Sequence, residues 1–322
     1  MLKMDAKGFN EVRQWVYRNA RYIELALWQS EFENGSKEAV LDALSFYQNE
    51  DGGFGNALEP DNWNPNSTPY TTGHAIKILK TIGFLDSRHP ILSGILRFLD
   101  SGAYFSENGW DWSIPTNNDY PHAPWWNFER ADSTTEFGLS CDIAGFILSV
   151  CQKDSDLYNK AVTVIQNIIA RLRNSIECDT AGGNVHRVCA LAETLQKYDM
   201  LDKFDASFLP EAARKMVAQA IGMDNSTWDN VGSSPLEYIE QPDSVYYSEH
   251  SDAVQHELDR LIKSRPNQGV WGIGWTWYGN QEKYANAFAI SENWWKSGIA
   301  ISNMRILKNF NRLETIDLFD NL

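Results

Sequence analysis

Ala43-Leu44-Ser45-Phe46-Tyr47-Gln48-Asn49-Glu50-Asp51-Gly52-Gly53-Phe54-Gly55 runs from an apolar helical stretch through a short polar segment into glycine followed by an aromatic. The same unit recurs. Ile95-Leu96-Arg97-Phe98-Leu99 leads to Asn108-Gly109-Trp110-Asp111-Trp112, and a third candidate copy runs from Leu258-Asp259-Arg260-Leu261-Ile262 to Asn267-Gln268-Gly269-Val270-Trp271-Gly272. A weak repeat of helix and loop with irregular spacing means insertions between copies rather than a regular solenoid.

Outward from this unit, apolar residues recur with helical period almost everywhere. Val12, Trp15, Val16, Tyr22, Ile23 and Leu27 predict one helix over 10–32, and Val40, Leu41, Leu44 and Tyr47 a second over 37–48. Thr71-Thr72 reads as the cap of a helix carrying Ile76, Leu79 and Ile82 and ended by Gly83. Further helices are expected over 89–101, 137–152, 156–176, 184–200, 207–221, 251–264 and 284–310. Val245-Tyr246-Tyr247 is the nearest approach to a strand and is too short. The expected class is all-α, in one domain over 1–322. Long loops at 49–70, 103–136, 222–250 and 265–283 hold most of the 13 tryptophans. Loops of this length are usually functional or disordered. Loops this aromatic should pack, and the mouth of a cavity is the natural place.

The net charge of −15 repels phosphate backbones and no basic run offsets it, which argues against nucleic acid as a partner. It leaves room for an anionic small molecule held by a few local cations. The N-terminal Met-Leu-Lys-Met-Asp-Ala-Lys has no signal-peptide pattern, and no apolar run is long enough for membrane insertion. Cys141, Cys151, Cys178 and Cys189 follow neither a CxxC spacing nor a disulfide framework, so free thiols in the cytoplasm are expected. Oligomeric state and cofactor stay open. Walker A, Gly-x-Gly-x-x-Gly, Gly-x-Ser-x-Gly and His-Glu-x-x-His patterns are all missing.

The stretch Ala39 to Gly55 resembles the QW motif of the terpenoid cyclase and protein prenyltransferase superfamily. Gln48, Gly52 and Phe54 fill its signature positions, with phenylalanine in place of tryptophan, and Gly269-Val270-Trp271 supplies the glycine-tryptophan half again. Asp51 to Asp61 is also similar to a stretch of bacterial proteins described as prenyltransferase-like. The resemblance implies an α/α toroid, a barrel of about six helix pairs closed around a central cavity. It implies a small hydrophobic ligand, isoprenoid in class. In that family the motif is structural. The family's Asp-x-Asp-Asp and Asp-Asp-x-x-Asp motifs are absent here, and Cys178, Asp179 and His186 offer zinc-ligand residue types without the family's pattern, so no metal site is expected.

Candidate chemistry gathers on two loops. Gly52, Gly53 and Gly55 allow a tight turn into Glu59-Pro60-Asp61, where a carboxyl beside Trp63 can serve as a general acid or simply cap the next helix and satisfy loop amides. Trp110-Asp111-Trp112 and His122 with Trp125-Trp126 suit either stacking on sugar rings or stabilising a carbocation, with His122 as a proton shuttle. Trp271, Trp275 and Trp277 extend the aromatic set as substrate-binding candidates, beside Trp294 and Trp295. Asp142, following Cys141 at the start of the apolar run Ile143 to Val150, has a structural reading and a cavity-facing one, His74 reads as a hydrogen-bonded core residue, and His250 and Asp252 adjoin an expected cap at Ser251. Whether the protein is an enzyme is left open. Three functions remain: an isoprenoid pocket, a glycoside hydrolase or lyase using paired carboxylates such as Glu59 or Asp61 with Asp111, and a non-catalytic binding protein.

Overall fold

The computed structural model describes residues 1–106, 109–128, 137–176, 185–221 and 234–314. Among them, secondary structure is almost wholly helical: the one sheet pairs β1 (Phe105–Ser106) with β2 (Gly109–Trp110). The all-α expectation holds. Most helix boundaries fall within a few residues of those expected, and the differences have local causes.

The span 10–32 is two helices, α1 (Ala6–Asn19) and α2 (Tyr22–Phe32). Ala20 and Arg21 are extended, and the Asn19 side chain donates 2.8 Å back to the Trp15 carbonyl, which stops α1 without proline or glycine. After α3 (Lys37–Ser45), α4 (Pro69–Thr81) is capped by Thr68 rather than by Thr71-Thr72. The Thr68 hydroxyl accepts from Thr71 N at 2.9 Å, and Pro69 occupies the first helical position, where its missing N–H costs nothing. Gly83, at φ 62°, follows the end of α4 as expected. Next come α5 (Pro90–Asp100), α6 (Phe137–Val150), α7 (Asp156–Ile176), α8 (Val185–Lys197) and α9 (Leu209–Ile221). α10 (Tyr247–Ser264) begins earlier than expected and kinks at His250, next to the cap expected at Ser251. Short α11 (Gly279–Lys283) and α12 (Ala285–Asn309) are the last helices among the described residues.

Contacts group the chain into two compact units. The first comprises Met1–Ala43, Val217–Thr276 and Asn286–Leu322, the second Leu44–Met216 and Trp277–Ala285. In the first, Trp28 is fully buried against Phe9 and Phe32, and its indole donates to Glu33 at 2.8 Å. The buried Arg312 guanidinium bonds Asp259 and Gln255, beside a parallel bridge between Met4 and Leu313.

In the second unit α6 touches α4, α7 and α8, while α5 packs on α7. Alternate helices therefore form two rows, α4-α6-α8 and α5-α7. Such a row buries its middle helix, and α6 is apolar around nearly its whole circumference except at Asp142. Among the described residues no helix is long and apolar enough to cross a membrane.

Candidate functional site

The glycine-rich turn is fixed first. Gln48 donates through Nε2 to the carbonyls of Gly52 and of Ile91 in the first turn of α5, each at 2.9 Å. Phe54 is buried, its N–H donates to the Thr72 hydroxyl at 3.1 Å, and its carbonyl accepts from Thr68 N at 3.0 Å. The motif-like residues thus tie helix ends together and leave the chain after Gly55 to fold into a tight knot. Asn56 and Ala57, both at positive φ, turn it inward.

Three segments meet in that knot. Ala123 N donates to the Asp61 carbonyl at 2.9 Å, Trp63 N donates to the Pro121 carbonyl at 3.0 Å, and Asn62 bridges His122 in antiparallel fashion. Trp277 places its indole N–H 2.7 Å from the Asp61 carboxylate, and the Asn280 amide donates to the His122 carbonyl at 2.9 Å. The structure therefore brings Glu59, Asp61, Trp63 and His122 together with Trp277, from a segment 158 or more residues further along the chain. It also seals them: Glu59, Asp61 and His122 are 3%, 2% and 4% exposed. Neither carboxylate caps the following helix, since Thr68 has that role. His122 Nδ1 lies 2.6 Å from the Tyr120 carbonyl, which makes Nδ1 the protonated nitrogen. Burial lowers its pKa, with Lys283 adding to the effect against the carbonyl contacts that raise it. Behind the knot, Asn117 accepts from Asn64 at 2.8 Å and donates to Ser113 and the Trp126 carbonyl, so buried amides carry the loop that holds the next cluster.

That cluster is aromatic. Trp112 stacks on Trp126 with centroids 4.8 Å apart, and Tyr70 of α4 meets them at 4.5 and 4.2 Å. Trp112 donates to the Trp125 carbonyl at 3.0 Å, while Arg187 of α8 lies 5.4 Å over the Trp112 ring. Trp110 is fully buried against Phe105, and its backbone N–H donates to Ser140 of α6 at 3.0 Å. The indole N–H groups of Trp110 and Trp126 are buried with no hydrogen bond among the described residues. Trp271 and Trp275 belong to the first unit, where Trp271 donates to the Leu261 carbonyl at 2.9 Å and Trp275 meets Trp295 edge-on at 5.3 Å.

No family model matches this chain, and no curated protein or solved structure is significantly similar to it. The site has to be argued from its own groups.

Continuing from Arg187, the α4-α6-α8 row carries charges that periodicity alone did not single out. Asp142 of α6 has its pKa raised by burial, against the opposing pull of Lys80, Arg187 and Lys77. Lys80 of α4 has its pKa lowered by desolvation and by Lys197 of α8, although Asp142 opposes this. Burial by the surrounding helices also raises the pKa of Glu193 on α8. Asp142, Lys77 and Lys80 make no hydrogen bond or close ion pair among the described residues. The sequence signal for these charges is slight: one acid in α6, and two lysines three residues apart on α4.

Asp111, half-buried beside the aromatic cluster, has its pKa raised to about 6 by burial. A carboxyl-carbon NMR titration is expected to place its midpoint near 6, and a value near that of an exposed aspartate removes Asp111 from the acid candidates. Because the folded pKa lies above the unfolded value of about 3.9, its contribution to stability is intact below about pH 4 and is lost as pH rises through about 6. A separate open recess of about 640 Å³ lies beside the glycine-rich turn, lined by Asn49, Asp51, Asn56 and Ser67 among others. Its amide and carboxylate groups already bond one another, as Ser67 to Asp51 at 2.6 Å and Asn49 to Ser67 at 3.0 Å, so volume alone does not make it the site. Among the described residues no cluster of three His, Cys, Asp or Glu side chains could hold a metal ion. Cys178, Asp179 and the side chain of His186 lie outside the described set. Cys141, Cys151 and Cys189 form no disulfide among the described residues.

Proposed function

We propose that this chain is a terpenoid cyclase/prenyltransferase-like α/α toroid of about six helix pairs that binds a hydrophobic, isoprenoid-class small molecule and acts on it. The half-buried Tyr70 of α4 and Trp112, backed by the buried Trp126, carry the proposal. Flat aromatic faces hold a hydrocarbon by area and steady a developing cation through their quadrupoles. The alternation of two helix rows and the tie from Gln48 to α5 support the toroid. Asp111, half-buried between Trp110 and Trp112 in the chain, is the candidate acid, while Glu59, Asp61 and His122 are buried in the knot and reach a ligand only when it opens. The free thiols and the net charge of −15 support a cytoplasmic location without a nucleic-acid partner.

Thermal shift and tryptophan fluorescence with farnesol, farnesyl diphosphate and neutral and acidic oligosaccharides test this reading. A native-state ligand at a hundred times its dissociation constant adds about 2.7 kcal/mol of stability. The isoprenoids are expected to shift the melting temperature and the sugars to leave it unchanged. Trp112→Ala is expected to weaken that binding by about 2 kcal/mol, roughly thirtyfold in Kd, as for a central aromatic anchor. One observation favours a second reading. Asp111, flanked in the chain by Trp110 and Trp112, has its pKa raised to about 6 by burial, as glycoside chemistry requires of its acid. A shift with oligosaccharides alone selects that reading and overturns the first.

A further inference from the structure

The glycine-rich turn also builds the open recess of about 640 Å³, which neither the knot nor the aromatic stack uses. The hydrogen bonds in its wall have a fixed direction. The Pro65 carbonyl can only accept, so the Asn49 side-chain nitrogen 2.9 Å from it is the donor, and that nitrogen also donates to the Ser67 hydroxyl at 3.0 Å. Ser67 then gives its own proton to Asp51 Oδ1, 2.6 Å away, which accepts the Gly53 N–H as well at 2.9 Å. The Asn56 amide donates to Asn49 Oδ1 at 3.2 Å, and the Asn66 amide to Asn64 Oδ1 at 2.9 Å. Most donors of the wall are therefore turned inward on the loop. Its acceptors are not: Asp51 Oδ2 and the Glu50 carboxylate make no hydrogen bond or ion pair among the described residues. Among those residues no lysine, arginine or histidine lines the recess. Arg97, outside the lining, spends its guanidinium on the Glu50 and Asp51 carbonyls at 2.8 and 3.4 Å.

We propose that this recess binds a small organic cation, a diammonium compound of the alkyl polyamine class. An ammonium group offers three donors and no acceptor, the complement of a wall whose donors are spent and whose carboxylates are open. Asp51 Oδ2 and Glu50 receive the ammonium groups. Phe98 and Tyr104, which also line the recess, cover the methylene chain, and an aromatic ring face adds attraction for a cation. A neutral sugar would ask the wall for donors in return, and an anion would meet two like charges. The wall is held in place before any ligand arrives. Asn56 and Tyr104 stand at φ 56° and 55°, and the Tyr104 carbonyl is fixed by Asp111 N at 2.9 Å. Non-glycine residues keep such conformations only where their surroundings impose them, as at ligand clamps. The recess shares no residue with the Tyr70, Trp112 and Trp126 cluster, so this inference and the isoprenoid reading fail independently.

Titration calorimetry of the whole chain with putrescine tests this, with 1,4-butanediol as its uncharged analogue and glucose and calcium as the competing ligand classes. Putrescine is expected to bind saturably at one site with Kd below about 1 mM, and the other three to give no saturable heat. Asp51→Asn keeps an oxygen for Ser67 and Gly53 but removes the open carboxylate oxygen, and it should weaken putrescine on the order of tenfold, as for a lost charge-assisted hydrogen bond. Glu50→Gln, at a side chain that holds nothing in the fold, should weaken it as well and decides the matter if Asp51→Asn melts early. Asp154→Asn removes one exposed charge away from the recess and should leave the affinity unchanged. Binding confined to putrescine and weakened by the recess variants alone supports the proposal. No saturable binding of putrescine overturns it, and so does equal weakening in Asp154→Asn, which marks attraction to the net negative charge. Butanediol or glucose binding as tightly as putrescine overturns it in favour of a neutral polyol, and calcium binding in its place in favour of a metal ion.

Discussion

Gly52→Ala is expected to lower the melting temperature by about 5–15 °C. Gly52 has φ 94°, and a Cβ built on it would lie 2.1 Å from the Gly94 carbonyl oxygen and 2.5 Å from its carbonyl carbon. The obstacle is the backbone of α5, which cannot swing aside as a side chain does. Positive φ for alanine costs about 1–2 kcal/mol, and overpacking against fixed atoms adds about 1–3 kcal/mol. Each kcal/mol is worth about 2–4 °C in a chain of this size class. Gly102 separates the two contributions. Its φ is 77°, but nothing lies within 4 Å of its Cβ position, so Gly102→Ala carries only the backbone cost, about 1–2 kcal/mol. Calorimetry on both variants decides the matter: equal losses at the two glycines would rule out the close approach of turn to helix. The consequence reaches the site, since the Gly52 carbonyl is one of the two acceptors by which Gln48 holds the turn.

The same turn explains what could be read from the sequence. Gln48, Gly52 and Phe54 were legible because hydrogen-bond geometry and a positive φ demand particular residue types at fixed spacing. Helix type was legible for a similar reason: apolar residues recur at the helical period, as in Ile76, Leu79 and Ile82. Boundaries depended on single side chains competing for backbone groups. Asn19 ends α1 by bonding to Trp15, and Thr68 takes the cap of α4 from Thr71-Thr72, and neither choice shows in periodicity. The Trp112–Trp126 stack joins residues expected together on one loop, whereas Arg187 reaches Trp112 from α8 only through packing. Asp142 was visible as the odd charge of an apolar helix. Lys77, Lys80 and Lys197 were not, because a lysine near other charges and an isolated one look alike in a sequence. What distinguishes them is the tertiary field around each ammonium group.

Asp61 offers the sharpest division between a structural and a chemical role. Its carboxylate accepts the buried Trp277 indole N–H at 2.7 Å, and its carbonyl accepts from Ala123. Asp61→Leu keeps the approximate volume but takes away the acceptor, and a buried donor deprived of its partner costs about 1–3 kcal/mol, more where the lost acceptor is charged. Asp61→Asn retains an amide oxygen for Trp277 and should cost about 1 kcal/mol or less. The expected outcome is a melting temperature near native for the asparagine variant and a drop of about 3–10 °C for leucine. Hydrogen exchange should quicken in the leucine variant at the Ala123 and Trp63 amides, which close the knot. If both variants melt like the native chain, the indole contact does not hold these loops. Once a substrate is in hand, the asparagine variant answers the remaining question. A proton donated by Asp61 is lost in that variant while its fold is kept, so turnover falls without a change in stability. A purely structural Asp61 leaves turnover where it was, and the acid must then be sought elsewhere, first at the half-buried Asp111.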